Sequence, residues 1–313
     1  MEKLRRRTSE NAHKFEKKLF EQLDLSELQG LLVDENWNAT VGLEAIEILD
    51  SNYFESLKST NRSKEDKEEF CNEFYKVLTK KDIKERYLLC DKLNIPFVLI
   101  FYCPTYEGIK NFRISMVKIN DNGDIKYINK IDYSENDFIK WWQSKKGTIQ
   151  TKQLRNSAGP RVKRTKIDNI LSNYGLMWGG NIDAFKAENG HIECIIDFIS
   201  CSRNMNINAN PSKWYNSSNP KYGPKYEGFK TQSKVANRLC VPHLIIYLDK
   251  SQPDAEIVAI SAIKEISPHA ITLVNDPVTN SQRIPKDHIT EGIENICDEI
   301  GKVISFSNPP IIK

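Results

Sequence analysis

No stretch of this sequence is apolar for anything close to the roughly 20 residues that a membrane helix needs. The mean hydropathy is −0.53, so the expectation is a soluble globular protein without a membrane partner. The first residues, MEKLRRRTSENAHKFEKKLF, carry a basic cluster with no apolar core after it, which is not the pattern of a secretory signal. The seven cysteines are scattered, with no CxxC and no Cys/His pairing. That spacing argues against a disulfide framework or a structural zinc site and for a reducing, cytoplasmic setting. Charge of one sign is also scarce. The formal net charge is only +3, too small to imply a nucleic-acid partner by itself. At 313 residues the chain suits one large domain or two small ones.

What charge there is lies unevenly. The stretch KQLRNSAGPRVKRTK (152–166) holds six Lys or Arg and no acid, around an Ala-Gly-Pro break. It reads as a basic linker, 151–163, between a first half, 1–150, and a second half, 164–313. Runs of this kind are as often simply solvated as functional.

The two halves repeat one order of elements. In the second, a helix is expected over Arg164–Tyr174, then two strands around Asn189-Gly190 in NIDAFKAENGHIECIIDFISC, then an irregular segment (203–228), a helix (FKTQSKVANRL) and a strand (PHLIIYL). In the first, a helix through NAHKFEKKLFEQL leads to GLLVDEN, a turn through WNATVG, LEAIEILD, a helix in IKERYLLCDKL and the strand PFVLIFY. The spacing from Phe229 through Gln232 and Leu239 to Pro242 matches that from Ile83 through Arg86 and Leu93 to Pro96. Ile46-Glu47 is set against Ile196-Asp197. The pattern suggests a tandem duplication, against the alternative that apolar periodicity aligns any two α/β halves.

Each strand of the second hairpin carries one acid in an apolar run, Asp183 and Asp197. Side chains alternate along a strand, so register decides whether they meet. A two-residue Asn189-Gly190 loop would set them on opposite faces. A three-residue loop ending at His191 would set them on one face. In the first half, a four-residue loop over 39–42 would do the same for Asp34 and Glu47. Two facing carboxylates in a half-buried site are costly unless a cation neutralises them, and Mg2+ takes such oxygen ligands. The bland alternative is an exposed strand end or a pairing with Lys or Arg. Glu193 is a further ligand candidate on the strand of Asp197. On a helical wheel Gln232 falls on the apolar face with Phe229, Val235, Ala236 and Leu239, while Lys230, Lys234 and Arg238 lie opposite.

The order helix, strand with Asp, turn, strand with acid, helix with an inward polar residue, strand resembles the PD-(D/E)XK, or restriction-endonuclease-like, superfamily. The stretches that carry it are GGNIDAFKAENGHIECIIDFIS and FKTQSKVANRLCVPHLIIYL. The resemblance implies an α/β fold of two tandem modules, each a mixed central sheet flanked by helices. It implies Asp183 and Asp197 as ligands of Mg2+ or Mn2+, Gln232 as the polar residue of the following helix, and Asp34, Glu47 and Arg86 as counterparts in a degenerate first copy. It departs from the family at the motif lysine, which is Ile199 here and Leu49 in the first half. That lysine stabilises developing charge, so its absence implies a migrated cation or a dead site.

The segment 203–228 interleaves Arg203, Lys213, Lys221 and Lys225 with Trp214, Tyr215, Tyr222 and Tyr226. It is long for a plain connection, and cations with aromatics suit phosphates and bases. With Lys230, Lys234, Arg161, Lys163 and Arg164 these form the candidate nucleic-acid surface; packing of the aromatics onto their own domain is the alternative. The resemblance implies a DNA endonuclease, DNA rather than RNA, in restriction or phage defence, acting as a homodimer or with a partner subunit. A degenerate copy that binds nucleic acid or protein without cutting is the rival. A generic α/β scaffold is a third reading.

Overall fold

The computed structural model describes residues 2–3, 14–58, 72–145, 166–176, 180–201, 226–249, 255–267, 270–275 and 280–313. The basic linker with Arg161, Lys163 and Arg164 lies outside the described residues, and so do Arg203, Lys213, Trp214, Lys221 and Lys225. The strands are β1 (Glu2–Lys3), β2 (Leu25–Val33), β3 (Ala39–Glu47), β4 (Phe97–Tyr102), β5 (Phe112–Ile119), β6 (Ile125–Tyr133), β7 (Gly180–Glu188), β8 (His191–Cys201), β9 (His243–Asp249), β10 (Ala255–Ile266), β11 (Ile271–Leu273), β12 (Gln282–Pro285) and β13 (Ile311–Ile312). The longer helices are α1 (Lys14–Gln22), α2 (Ser51–Lys58), α3 (Lys80–Lys92), α4 (Glu135–Lys145), α5 (Lys166–Asn173), α6 (Tyr226–Leu239) and α7 (Ile289–Phe306). Among the described residues no helix is long and apolar enough to cross a membrane.

The chain divides into two compact units. Unit 1 comprises Met1–Glu10 and Leu28–Asn181, and unit 2 comprises Asn11–Glu27 and Ile182–Lys313. Each is a mixed, mostly antiparallel sheet flanked by helices. In unit 1, β2 and β3 form an antiparallel hairpin, β4 lies parallel to β3, and β5 and β6 follow antiparallel, with β1 on the end of β3. In unit 2, β7 and β8 form the hairpin, β9 lies parallel to β8, and β10 and β11 follow antiparallel, with β12 and β13 also on β10. A parallel neighbour requires a crossover, and α3 and α6 lie in the two crossovers. Helix α3 starts at Thr79, whose hydroxyl accepts from Asp82 N while the Asp82 carboxylate returns to Thr79 N, a reciprocal cap.

Both faces of each sheet are covered, which is why β4, FVLIFY, is buried at every position. In unit 1 one face packs Leu43, Ala45, Val98 and Ile100 against Phe138 and Trp142 of α4 and Ile167 and Leu171 of α5. On the other face α3 buries Ile83, Arg86, Leu89 and Cys90. In unit 2, Ile196, Leu244, Ile246 and Val258 pack against Phe15 and Leu19 of α1 and Ile293, Ile296 and Ile300 of α7. Phe229 of α6 packs on the opposite face with Ile245, Tyr247 and Ile263.

This division differs from a cut at the basic linker in two segments. Helix α1 precedes all of unit 1's sheet beyond β1, yet its Phe15 and Leu19, one turn apart, are buried in unit 2's core. Helix α5 follows the linker, yet its Ile167, Ile170 and Leu171 are buried in unit 1's core. Apolar faces at i, i+3 and i+4 spacing fix these memberships; position along the chain does not.

Candidate functional site

The β7–β8 hairpin turns through two residues, not three. Glu188 pairs with His191, and Asn189 and Gly190 take φ of 51° and 77°. That is the left-handed pair of a two-residue hairpin turn, for which Asn-Gly is well suited. The register then shifts between Lys186 and Ala187, because Lys186 pairs with Cys194 while Ala187 pairs with Ile192. Glu193 is the extra residue of a bulge. Beyond it the pairing is Phe185 with Ile195 and Ala184 with Ile196. One further step sets Asp183 opposite Asp197, so the expected register is reached through the bulge instead of the loop. Opposed residues of a hairpin share a face, and here it is the face covered by α6.

The two carboxylates have distinct partners. Asp183 is half-buried and its Oδ2 accepts from Phe198 N at 3.2 Å, which holds its side chain beside the backbone next to Asp197. Asp197 is 5% exposed, and its Oδ2 lies 3.0 Å from Nε2 of His243. The other ring nitrogen of His243, Nδ1, lies 2.9 Å from Oγ of Ser233. Both His243 and Ser233 are wholly buried. His243 opens β9, two residues before Ile245, the partner of Asp197. In a parallel pair that places its ring on the same face as the acid. Gln232 is buried, as its place on the apolar face of the helix predicts, and its neighbours Thr231 and Ser233 are buried too. Lys230 and Lys234 are half-buried and Arg238 is exposed.

Glu193 does not join Asp197. The bulge takes it out of the alternation, and its carboxylate sits on Lys186 Nζ at 3.1 Å, with Glu188 on the same amine at 2.7 Å. These two bonds, that to Glu188 first, raise the Lys186 pKa against the opposing effect of burial. Ile199, at the position of the family's lysine, packs against the apolar cluster of α6 and β9.

Unit 1 corrects the expected counterparts. The hairpin turn occupies 34–38, and 39–42 are in strand β3. Asp34 closes that turn: its carboxylate accepts from Asn36 N, Asn38 N and Asn38 Nδ2 at 2.8–2.9 Å. Glu47 is at the far end of β3 and is buried. At about 3.3 Å per residue it is some 25 Å along the strand from the turn, so Asp34 and Glu47 do not face each other. The residue that occupies the place of Asp197 is Glu44. Gly42 pairs with Phe97 after Pro96, and Ile195 pairs with His243 after Pro242. Gly42 N donates to Pro96 O and Ile195 N to Pro242 O, each at 3.0 Å. Two residues on come Glu44 and Asp197. The alignment of Glu47 with Asp197 is therefore off by three residues.

Glu44 is buried with Arg86, the inward residue of α3. Arg86 Nε donates to Glu44 Oε1 at 2.8 Å, each side chain 1% exposed, and Gln29 N donates to the same oxygen at 3.0 Å. A second guanidinium nitrogen meets Asp82 Oδ1 at 3.0 Å. Arg86 thus forms a buried ion pair, with Glu44 and not with Asp34 or Glu47. Each unit thus buries one acid at the same register position and gives it a basic partner from a different element, the helix in unit 1 and the adjacent strand in unit 2.

No family model matches the sequence, no curated protein matches it, and no solved structure matches it.

Among the described residues no three His, Cys, Asp or Glu side chains converge as a metal cluster. The pair Asp183 and Asp197 nonetheless has the donor chemistry of a hard divalent ion. A carboxylate offers about four lone-pair sites, and Mg2+ is commonly held by one or two carboxylates with water and phosphate completing the shell. Sequence reasoning missed His243 and Ser233. The signal present was a single polar residue heading an otherwise apolar strand, after a proline.

Proposed function

We propose that the chain is a metal-dependent DNA endonuclease of restriction-endonuclease-like architecture, with its cleaving site in unit 2 and a non-cutting copy of the same module in unit 1. The observation that carries this reading is the register of β7 and β8, which brings Asp183 opposite Asp197 on the face of Gln232. Repetition of strand directions and of the buried acid in unit 1 supports a duplication, with Arg86 closing the first copy's site by filling it with a fixed cation. Asp183 and Asp197 would hold Mg2+ or Mn2+, Asp183 anchored by Phe198 N and Asp197 by His243. When bound, such an ion polarises a phosphodiester and lowers the pKa of an attacking water. Gln232 supplies a neutral polar group beside the acids, and Lys230 and Lys234 on α6 supply phosphate contacts at its more exposed side.

The test is cleavage of plasmid, linear duplex and single-stranded DNA with Mg2+ or Mn2+, comparing the natural chain with Asp183→Ala and Asp197→Ala. Metal-dependent cutting lost in both variants is expected. Cutting that survives both substitutions overturns the assignment of the site.

A second reading, a module that binds nucleic acid without cutting, is favoured by two observations. Asp197 already has a buried basic partner, and Ile199 leaves no cation at the motif position. Absence of cutting together with salt-sensitive DNA binding in all three proteins would select this reading.

A further inference from the structure

Ser233, His243 and Asp197 form a line of hydrogen bonds from α6 through β9 to β8, 2.9 Å and 3.0 Å long. The residue types are those of a nucleophilic triad, but that chemistry is excluded by access. Ser233 and His243 are both 0% exposed, so no substrate reaches the hydroxyl.

The protons in this line can be placed from its two ends. A carboxylate only accepts, so Asp197 requires a hydrogen on Nε2 of His243. Ser233 has Nδ1 as its one side-chain partner among the described residues. A buried hydroxyl hydrogen left without an acceptor costs about 1–3 kcal/mol, so the Ser233 O–H points at Nδ1, which must then carry a lone pair. Both ends favour the same placement of the ring hydrogen, on Nε2. The tautomer of an imidazole is set by the bond its other nitrogen makes, and here Ser233 makes that bond.

We infer that Ser233 and His243 are positioning residues: a one-directional relay, Ser233 donating to His243 and His243 to Asp197, that holds the Asp197 carboxylate in one orientation toward Asp183. The metal consequence rests on the endonuclease reading above; the proton arrangement does not. Outer partners that orient a metal-binding carboxylate typically change metal affinity 10- to 100-fold when removed.

The experiment uses the 15N-labelled full chain. Long-range imidazole 1H–15N spectra identify His243 by its loss in His243→Gln, and Mn2+ titration measures affinity in the natural chain, Ser233→Ala, His243→Phe and His243→Gln. Denaturation midpoints report whether each variant is folded. The expected result is a His243 ring hydrogen on Nε2, and Mn2+ affinity reduced about 10- to 100-fold in Ser233→Ala and His243→Phe. Partial recovery is expected in His243→Gln, whose amide can still donate to Asp197. A hydrogen on Nδ1, alone or with Nε2, overturns the relay. Equal Mn2+ affinity in the natural chain and a folded Ser233→Ala overturns the positioning role, even if His243→Phe does not fold. Absence of Mn2+ binding by the natural chain, with the hydrogen on Nε2, overturns the endonuclease reading and supports the relay alone.

Discussion

Replacing Arg86 by Met tests how unit 1 tolerates its buried acid. In the native unit, Glu44 Oε1 receives one charged donor, Arg86 Nε at 2.8 Å, and one backbone donor, Gln29 N at 3.0 Å. Both charged side chains are 1% exposed, so water cannot take the place of the guanidinium. Arg86→Met removes the charged donor of a buried carboxylate and keeps the neutral donor Gln29 N. Removing one partner of a buried pair costs about 3–5 kcal/mol, because the remaining charge is uncompensated. The double variant Arg86→Met/Glu44→Leu removes both charges, and apolar replacement of a whole pair is often neutral or stabilising. Urea denaturation followed by hydrogen exchange at the β3 and β4 amides reads the loss. With a urea slope of about 2 kcal/mol per molar, the single variant moves the midpoint by about 2 M, and the double variant recovers most of it. A single variant within about 1 kcal/mol of the natural chain, or a double variant no better than the single, would refute the argument. Asp82 adds a pH arm. Burial pushes its pKa up, but the Arg86 charge and the bonds from Thr79 outweigh that and hold it below the ordinary value. A depressed folded-state pKa gives stability that is present above the unfolded pKa and lost as pH falls through the folded one. Arg86→Met should therefore make unit 1 less sensitive to acid in that window.

Gly42→Ala would set a Cβ 2.3 Å from Cys90 Sγ; a loss of about 1–3 kcal/mol is expected, as for overpacking, with recovery in Gly42→Ala/Cys90→Ala. Gly190→Ala meets no atom within 4 Å, so its cost is backbone strain at φ +77° alone, about 1–2 kcal/mol by thermal denaturation, and no second-site change should relieve it. Among the described cysteines, thiol alkylation mapped by mass spectrometry should reach exposed Cys240 first. Cys297 is pushed up to about 11 by burial and then by Asp298 and Glu294, so its labelling should keep rising between pH 9 and 11. Burial pushes Cys194 up to about 12, and it should stay unlabelled until the chain unfolds.

The local patterns in the sequence identified elements better than they placed them. Asn189-Gly190 announced a hairpin, and the apolar face around Gln232 announced which side of α6 meets the sheet; both are local properties of the chain. The bulge at Glu193 was not legible, because an extra residue in one strand is decided by what both strands must bury. It exchanged the loop length without changing which acids oppose. In unit 1 the strand boundary was misjudged because Asp34 reads as a strand acid, whereas its carboxylate is spent on three donors of its own turn. That error carried over to Glu47, which was set against Asp197 where the register places Glu44. The inward place of Arg86 follows from its spacing to Pro96, which matches that of Gln232 to Pro242; which acid it meets depends on the register of β3 and β4. His243 was invisible as a partner of Asp197 because a residue 46 positions away becomes a neighbour only once the parallel register of β8 and β9 is known.

The placement of α1 and α5 bears on the order in which the protein is made. Helix α1 leaves the ribosome long before Ile293, Ile296 and Ile300, which share its core. At about 5–20 residues per second, Phe15 and Leu19 wait tens of seconds for their cover. Unit 1 finishes sooner, yet it too cannot close until residues 167–171 have emerged beyond the basic linker. A nascent chain paused at that linker would hold two incomplete cores at once. Neither core can therefore close before the chain beyond the linker has been made, and a chain cut at the linker would part each core from one of its helices.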